Sequence, residues 1–375
     1  MKILMVTEFF PTGKDLRFSG GVEARTYFVA KDLAKKHQVS IICSRQEGSK
    51  SQEKTSGINI YRVGPIRPYE ATIGSISKRI NFIKEAIKTS KNLKPDIVDG
   101  SNYISHFIAK TIANSQNIPA VAWYPDVWIG SWIKNVGVVG IIGEILERIN
   151  VLRDFDAYIA ISRETAKKLA KHTTKKIDII YCGVDKNEFS QKTKKALPNT
   201  IISIARLTKY KNVSTTLYAF AHLSIKVKKV RLVIVGTGPE LHRLKELSRS
   251  LKIDGKVKFI SNLPRKQLVS QIKSSKVFSL ASTVEGFGIA TVEAAAAGTP
   301  YVISNIAINR EITKNGFGGF LVESHNPVEF SAKFQNLLEE PHLYQQKVKE
   351  CLSLSKNYDW AKIALQTEKV YKRLV

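Results

Sequence analysis

The chain has 375 residues, 43% of them hydrophobic, and carries 59 basic against 32 acidic side chains for a net charge of +27, a length and composition that suit two ordinary cores better than one. Its three cysteines, Cys43, Cys182 and Cys351, are widely spaced and form no C-x-x-C pair, which argues against a disulfide framework and a zinc site and fits a reducing cytoplasm. The most apolar stretch, VGVVGIIG at 136–143, falls short of the ~20 residues that span a bilayer, and Glu8 breaks the first apolar run too early for a signal peptide; the expectation is a cytoplasmic protein, with the cytoplasmic face of the membrane as its alternative station.

Along the chain, apolar runs of strand length (KILMV, VSIIC, INIYRV, DIVD, PAVAW, AYIAIS, DIIY) alternate with helical patterns such as 22–37 and 76–93. Short, nearly continuous apolar strands with amphipathic connections predict a parallel sheet covered on both faces. The polar stretch SQKTKKALPN (190–199) interrupts this pattern and reads as a linker. The alternation then restarts with TIISIA, VRLVIVG, KVKFI, KVFSLA and YVIS, a second α/β lobe. The tail 358–375 has Trp360, Ile363, Ala364, Val370 and Leu374 at helical spacing and is expected to pack back on the first lobe. Two such lobes predict a cleft at the carboxyl ends of both sets of strands, so functional residues should follow strands.

The positive charge raises nucleic acid, anionic lipid and phosphorylated ligands as partners. Most of the excess falls between 151 and 300, in clusters such as KKLAKHTTKK (167–176) that border strand-like runs and read as solvated helix faces. No motif with interleaved aromatics accompanies it, so nucleic acid is not the expected partner.

Four places could carry chemistry. Gly20 and Gly21 stand between a strand and a helix, where backbone can approach a ligand and the helix start can meet a phosphate; an ordinary loop fits that pattern equally. Arg206 follows a strand of the second lobe and Lys211 comes five residues later. A planar fork and a point charge together could neutralise a diphosphate, and two more cations of a lysine-rich surface are the bland alternative. Gly236 and Gly238 end the strand of VIVGTGPE ahead of a helix that opens at Pro239. The last is STVEGFGIATVEAAAAGTP (282–300), in which Glu285 lies on a glycine-bounded loop and Glu293 in the helix that the loop opens. At different heights they suit two parts of one elongated ligand better than an acid/base dyad, and carboxylates accept hydrogen bonds from vicinal hydroxyls. A helix-start charge for Glu285 and a salt bridge for Glu293 are the structural alternatives.

The last stretch resembles the E-x7-E signature of retaining glycosyltransferases with the two-domain B-type fold (family 4). The resemblance extends over nearly the whole chain through GGVE (20–23), CGVD (182–185), ARLTKYKN (205–212), VGTGPE (235–240), FISNLPRKQL (259–268), EGFGIATVEAAAAGTPYV (285–302) and the closing tryptophan-containing helix. It implies two Rossmann-like doubly wound domains facing a central cleft: 1–190 for the acceptor, 191–357 for the nucleotide sugar, and 358–375 as the returning helix. It implies that Glu285 touches the donor hexose, Glu293 the nucleotide ribose, and Arg206 and Lys211 the diphosphate. Gly20, Gly21, Gly236, Gly286 and the amides of Phe287 and Gly288 would border the phosphates, and the backbone near Leu263 the base. The implied donor is a nucleotide-diphosphate sugar, UDP- or GDP-hexose, used without a bound cofactor or metal. The implied acceptor is a glycan or lipid-linked saccharide.

One feature departs from the family. Where relatives carry a histidine after the strand PAVAW, this chain has Pro125; Asp126 is the candidate replacement, and a turn cap is its alternative reading. For His106 a satisfied core position is the favoured reading. Asp154 and Asp156 in RDFDAY read as turn caps, so no metal is assigned. Residues 128–152, with two tryptophans and a glycine-spaced apolar run, suit either a bilayer interface rich in anionic lipid or a helix buried on the first lobe. A catalytically silent nucleotide-sugar binder and a basic nucleic-acid-binding protein are the competing classes.

Overall fold

The computed structural model describes residues 1–12, 18, 20–67, 76–190, 199–261 and 263–375. The chain divides into two units, Met1–Cys182 with Trp360–Val375, and Gly183–Asp359.

The first unit's apolar runs become strands buried on both faces, as parallel sheets require. Its elements are β1 (Lys2–Val6), α1 (Gly21–Leu33), β2 (Gln38–Ser44), β3 (Gln52–Thr55), β4 (Ile58–Val63), α2 (Ile76–Ser90), β5 (Ile97–Gly100), α3 (Tyr103–Gln116), β6 (Ala120–Tyr124), α4 (Trp132–Val136), α5 (Gly140–Leu152), β7 (Ala157–Ala160), α6 (Arg163–Leu169) and β8 (Ile177–Ile179). They form an eight-stranded sheet in the order β3-β4-β2-β1-β5-β6-β7-β8. Only β3 is antiparallel to its neighbour; its sequence QEKT places a polar, largely exposed strand at the edge, which discourages pairing with another chain. On one face Ile104, Ile108 and Ile112 of α3 pack with Val98, Phe155 and Tyr158.

The second unit comprises α7 (Lys186–Ser190), β9 (Thr200–Ile204), α8 (Val213–Lys226), β10 (Arg231–Val235), α9 (Leu241–Ser250), β11 (Val257–Ile260), α10 (Arg265–Ser274), β12 (Val277–Leu280), α11 (Ile289–Ala296), β13 (Tyr301–Ser304), α12 (Ala307–Thr313), β14 (Gly319–Val322), α13 (Pro327–Glu339) and α14 (Pro341–Ser355). Its six-stranded, all-parallel sheet runs β11-β10-β9-β12-β13-β14. The direction of winding reverses between β9 and β12, the topological switch point at which such sheets open a crevice beyond their carboxyl ends. Leu217 and Phe220 of α8 and Phe330 and Phe334 of α13 belong to one core over this sheet.

The units part at Cys182/Gly183, before the polar stretch 190–199. Helix α7 belongs with the second unit because Glu188 pairs with Arg265 at 2.8 Å and the Phe189 carbonyl accepts from Lys273 Nζ at 2.6 Å. Residues 191–198 lie outside the described residues. Helix α15 (Trp360–Lys372) packs on α1 in the first unit: the Trp360 and Phe28 rings stack with centroids 5.3 Å apart. Below them the buried Arg25 donates to Asp99 at 2.9 Å, and the Tyr371 hydroxyl donates to the same carboxylate.

Candidate active site

The second unit brings three of the expected residues to the β9/β12 switch point. After β9, residues Lys209–Lys211 form a single 3₁₀ turn that ends on Asn212, whose φ of 49° turns the chain into α8. The Asn212 side chain anchors this turn to the far side of the switch by donating to the carbonyls of Ala281 (3.2 Å) and Ser324 (2.7 Å). The Thr283 amide donates to the Tyr210 carbonyl at 2.8 Å, so the loops after β9 and β12 are laced together. Across that lacing Lys211 Nζ donates to Glu285 Oε1 at 2.6 Å, and Ser282 Oγ donates to the same oxygen at 2.7 Å. Arg206, nearer the end of β9, donates to the Tyr210 hydroxyl at 2.9 Å.

The ion pair is well sheltered, with 14% of the Lys211 side chain and 7% of Glu285 exposed. A fixed pair of this kind costs little reorganisation when a charged ligand arrives. Among the described residues no further hydrogen bond occupies the Lys211 ammonium or Glu285 Oε2, which leaves N–H donors and one acceptor oxygen for a ligand. Next in the chain, Gly286 continues the loop, Phe287 is buried with its ring 5.9 Å from that of Tyr358, and Gly288 at φ 82° caps α11.

Glu293 is one turn into α11 and buried. Its Oε1 accepts from Arg265 Nη1 at the start of α10, while the same guanidinium donates to Glu188 Oε2 at 2.9 Å from Nε. Burial works to discharge Arg265, and the charges of Glu293 and Glu188 outweigh it, holding its pKa above the ordinary value. Burial raises the Glu188 pKa despite the opposing pull of Arg265. Nothing in the basic string PRKQL sets Arg265 apart by sequence, and Ser282, Tyr210 and Asn212 were equally silent.

The glycines after β10 have a structural cause. A Cβ on Gly236 would fall 1.9 Å from the Ala205 carbonyl oxygen and one on Gly238 2.4 Å from that of Leu207; the backbone after β10 crosses directly over the β9 loop. Leu263 follows β11 at the same edge of the sheet, while Asn262 lies outside the described residues. The alanine run also has a partner: α11 packs against α14, and Gly298 beyond it lies by Leu352 and Val348.

In the first unit Gly20 is extended (φ −172°) and Gly21 opens α1; residues 13–17 and 19 lie outside the description. Asp126, after β6, is buried and its carboxylate is engaged by the Trp128 indole (2.8 Å), Lys168 Nζ (2.9 Å) and the Val127 amide (2.8 Å). His106 is wholly buried, its Nε2 lies 2.9 Å from the Trp123 carbonyl, and burial lowers its pKa to about 4. Asp156 accepts from the Ala120 amide at 2.9 Å and Asp154 pairs with Lys175 at 2.9 Å. Among the described residues no group of three His, Cys, Asp or Glu side chains could hold a metal ion.

Segment 128–152 has two faces. A Cβ on Gly143 would meet the Trp132 ring at 2.5 Å, so the glycine side of α5 lies against Trp132. Beneath it the buried Glu147 carboxylate accepts from Trp132 Nε1 at 2.6 Å and the Trp128 amide at 3.1 Å, and burial raises its pKa to about 7. The other face is apolar and exposed: Ile141, Ile142, Ile145, Ile149 and Leu152, the last 84% exposed. Among the described residues no helix is long and apolar enough to cross a membrane.

With this geometry, residues 184–352 match the family described as glycosyl transferases group 1, and residues 19–188 match glycosyltransferase family 4. An uncharacterized glycosyltransferase of Haemophilus influenzae is 30% identical over 92% of this chain and 94% of its own length. This chain belongs to the group 1 glycosyltransferases. Of solved structures, sucrose-phosphate synthase from Thermosynechococcus elongatus superposes with a TM-score of 0.83 at 16% identity, covering 100% of this chain and 98% of that one. Anabaena HepE in complex with UDP and glucose gives 0.76 at 17% identity and covers 100% of both chains. The glycosyltransferase thus has the two-lobed GT-B fold.

Proposed function

We propose that this glycosyltransferase moves a hexosyl unit, with retention of configuration, from a nucleotide-diphosphate sugar to a glycan or lipid-linked saccharide. The observation that carries the reading is the sheltered Lys211–Glu285 pair at the β9/β12 switch point. Lys211 and Arg206 neutralise the diphosphate, and the amides of Phe287 and Gly288 at the start of α11 border it with Gly236 and Gly286. Glu285 holds the hexose hydroxyls through its free oxygen, Glu293 holds the ribose, and the backbone near Leu263 meets the base. As the glycosidic bond breaks, charge develops on the leaving diphosphate. Fixed cations and amides stabilise that charge more than they stabilise the bound donor, which lowers the barrier.

A UDP-hexose is the first donor to try, because HepE, of the same fold, was solved with UDP and glucose; a GDP-hexose is the second. Asp126, at the place of the family histidine, has both carboxylate oxygens engaged by the Trp128 indole, Lys168 and the Val127 amide and takes no part in this reading.

The acceptor side is assigned to an anionic bilayer surface reached through the exposed face of α5. Flanking cations support this: Lys134, Lys171 and Arg148 are exposed, the last also pairing with Glu144 at 2.7 Å. Apolar side chains beside cations are what an interfacial helix needs.

A thermal-shift screen with UDP-, GDP- and ADP-sugars, followed by donor hydrolysis and transfer assays, tests the assignment, since a ligand that binds only the folded state raises its melting temperature. One nucleotide sugar should stabilise the protein and turn over. Binding without turnover of any donor would instead mark a silent binder, and salt-sensitive nucleic-acid binding that survives saturating nucleotide would mark the basic alternative.

A further inference from the structure

We propose that Arg265 is a positioning residue for the nucleotide ribose, fixing the Glu293 carboxylate so that one oxygen faces the sugar diol. The inference rests on the ribose assignment to Glu293 made above. Arg265 spans two carboxylates contributed by different helices, Glu188 of α7 and Glu293 of α11, and only 10% of its side chain is exposed. A guanidinium fixed at two edges has little freedom to turn. It holds Glu293 Oε1 and leaves Oε2 with no protein partner among the described residues. A lone carboxylate at this place would be free to rotate; with Arg265 holding Oε1 it keeps one rotamer, with a single acceptor directed at a hydroxyl. The alternative role is a clip that merely fastens α7 to α10 and α11.

The two roles separate in the binding of UDP and GDP compared with their 2′-deoxy counterparts, measured by calorimetry on the full chain. A hydrogen bond to a charged group distinguishes ribose from deoxyribose by about tenfold or more. The wild-type protein should prefer the ribonucleotide by that ratio, and Glu293→Ala should lose it. Arg265→Ala should bring the ratio to about one with nucleotide still bound, and Arg265→Lys should restore part of it. If Arg265→Ala fails to fold, Arg265→Lys and Glu188→Gln carry the same test, each expected to lower the ratio. A ratio lost in Glu293→Ala but unchanged in folded Arg265→Ala would overturn the positioning role alone. A wild-type protein that binds both forms equally, with Glu293→Ala the same, would overturn the ribose contact itself and this inference with it.

Discussion

The two units use similar sheets to spend their buried charges differently. In the first unit acids at strand ends serve as braces: Asp99 holds Arg25 and Tyr371, and Asp126 holds Trp128 and Lys168. In the second unit the charged pairs gather at the switch point and on α11, where Glu285 and Glu293 each keep an oxygen without a partner among the described residues. The lesson is that burial of a carboxylate does not by itself mark a site. What separates the two kinds is whether hydrogen-bonding capacity remains after the protein's own donors are counted.

Changes in the braces should therefore alter stability and spare nucleotide binding, with the reverse in the second unit. The largest effect is expected from Arg25→Ala, which leaves Asp99 buried and unpaired and should cost about 3–5 kcal/mol, read as a lower urea midpoint with nucleotide affinity retained in the folded fraction. Lys211→Ala should lower transfer about 100-fold or more while shifting the melting temperature less than Arg25→Ala does, since Glu285 is less deeply buried than Asp99 and keeps the Ser282 donor; a large thermal loss with turnover intact would reverse the comparison. Exchanging Ile145 or Ile149 for glutamate on the open face of α5 should weaken co-sedimentation with phosphatidylglycerol vesicles about tenfold and leave donor hydrolysis in solution unchanged.

The smallest effect is a pH dependence. Burial raises the folded-state pKa of Glu147 to about 7, against an ordinary value of 4.5. Its contribution to stability is therefore fully present below the unfolded pKa and is lost as pH rises through that window toward 7. Urea midpoints measured across the window should show this decline in the wild-type protein and a flatter profile in Glu147→Gln.

Much of the fold was legible because buried parallel strands must be almost wholly apolar, and KILMV, TIISI and YVIS admit few other readings. The edge strand QEKT was not, since its character comes from pairing with β4 and from exposure, and GFLV is short with a glycine at its start. The polar stretch after Ser190 stood out in the sequence, whereas the units part before α7, which is tied to its unit by Glu188 and Phe189, contacts that no local pattern records. In the candidate site the two glutamates and the two cations were readable from spacing. Their partners were not: Ser282, Asn212 and Arg265 matter through tertiary contacts, and Gly236 and Gly238 accommodate crossing backbone. In segment 128–152 the tryptophan and glycine side is packed, as the buried-helix reading expects, and the isoleucine side is exposed.

The most direct test of the account is turnover by Glu285→Ala beside the wild-type protein, with the donor that the thermal screen selects. The account expects the variant to fold and to bind the nucleoside diphosphate while sugar transfer and donor hydrolysis fall to background. Wild-type turnover in a folded Glu285→Ala protein would contradict it.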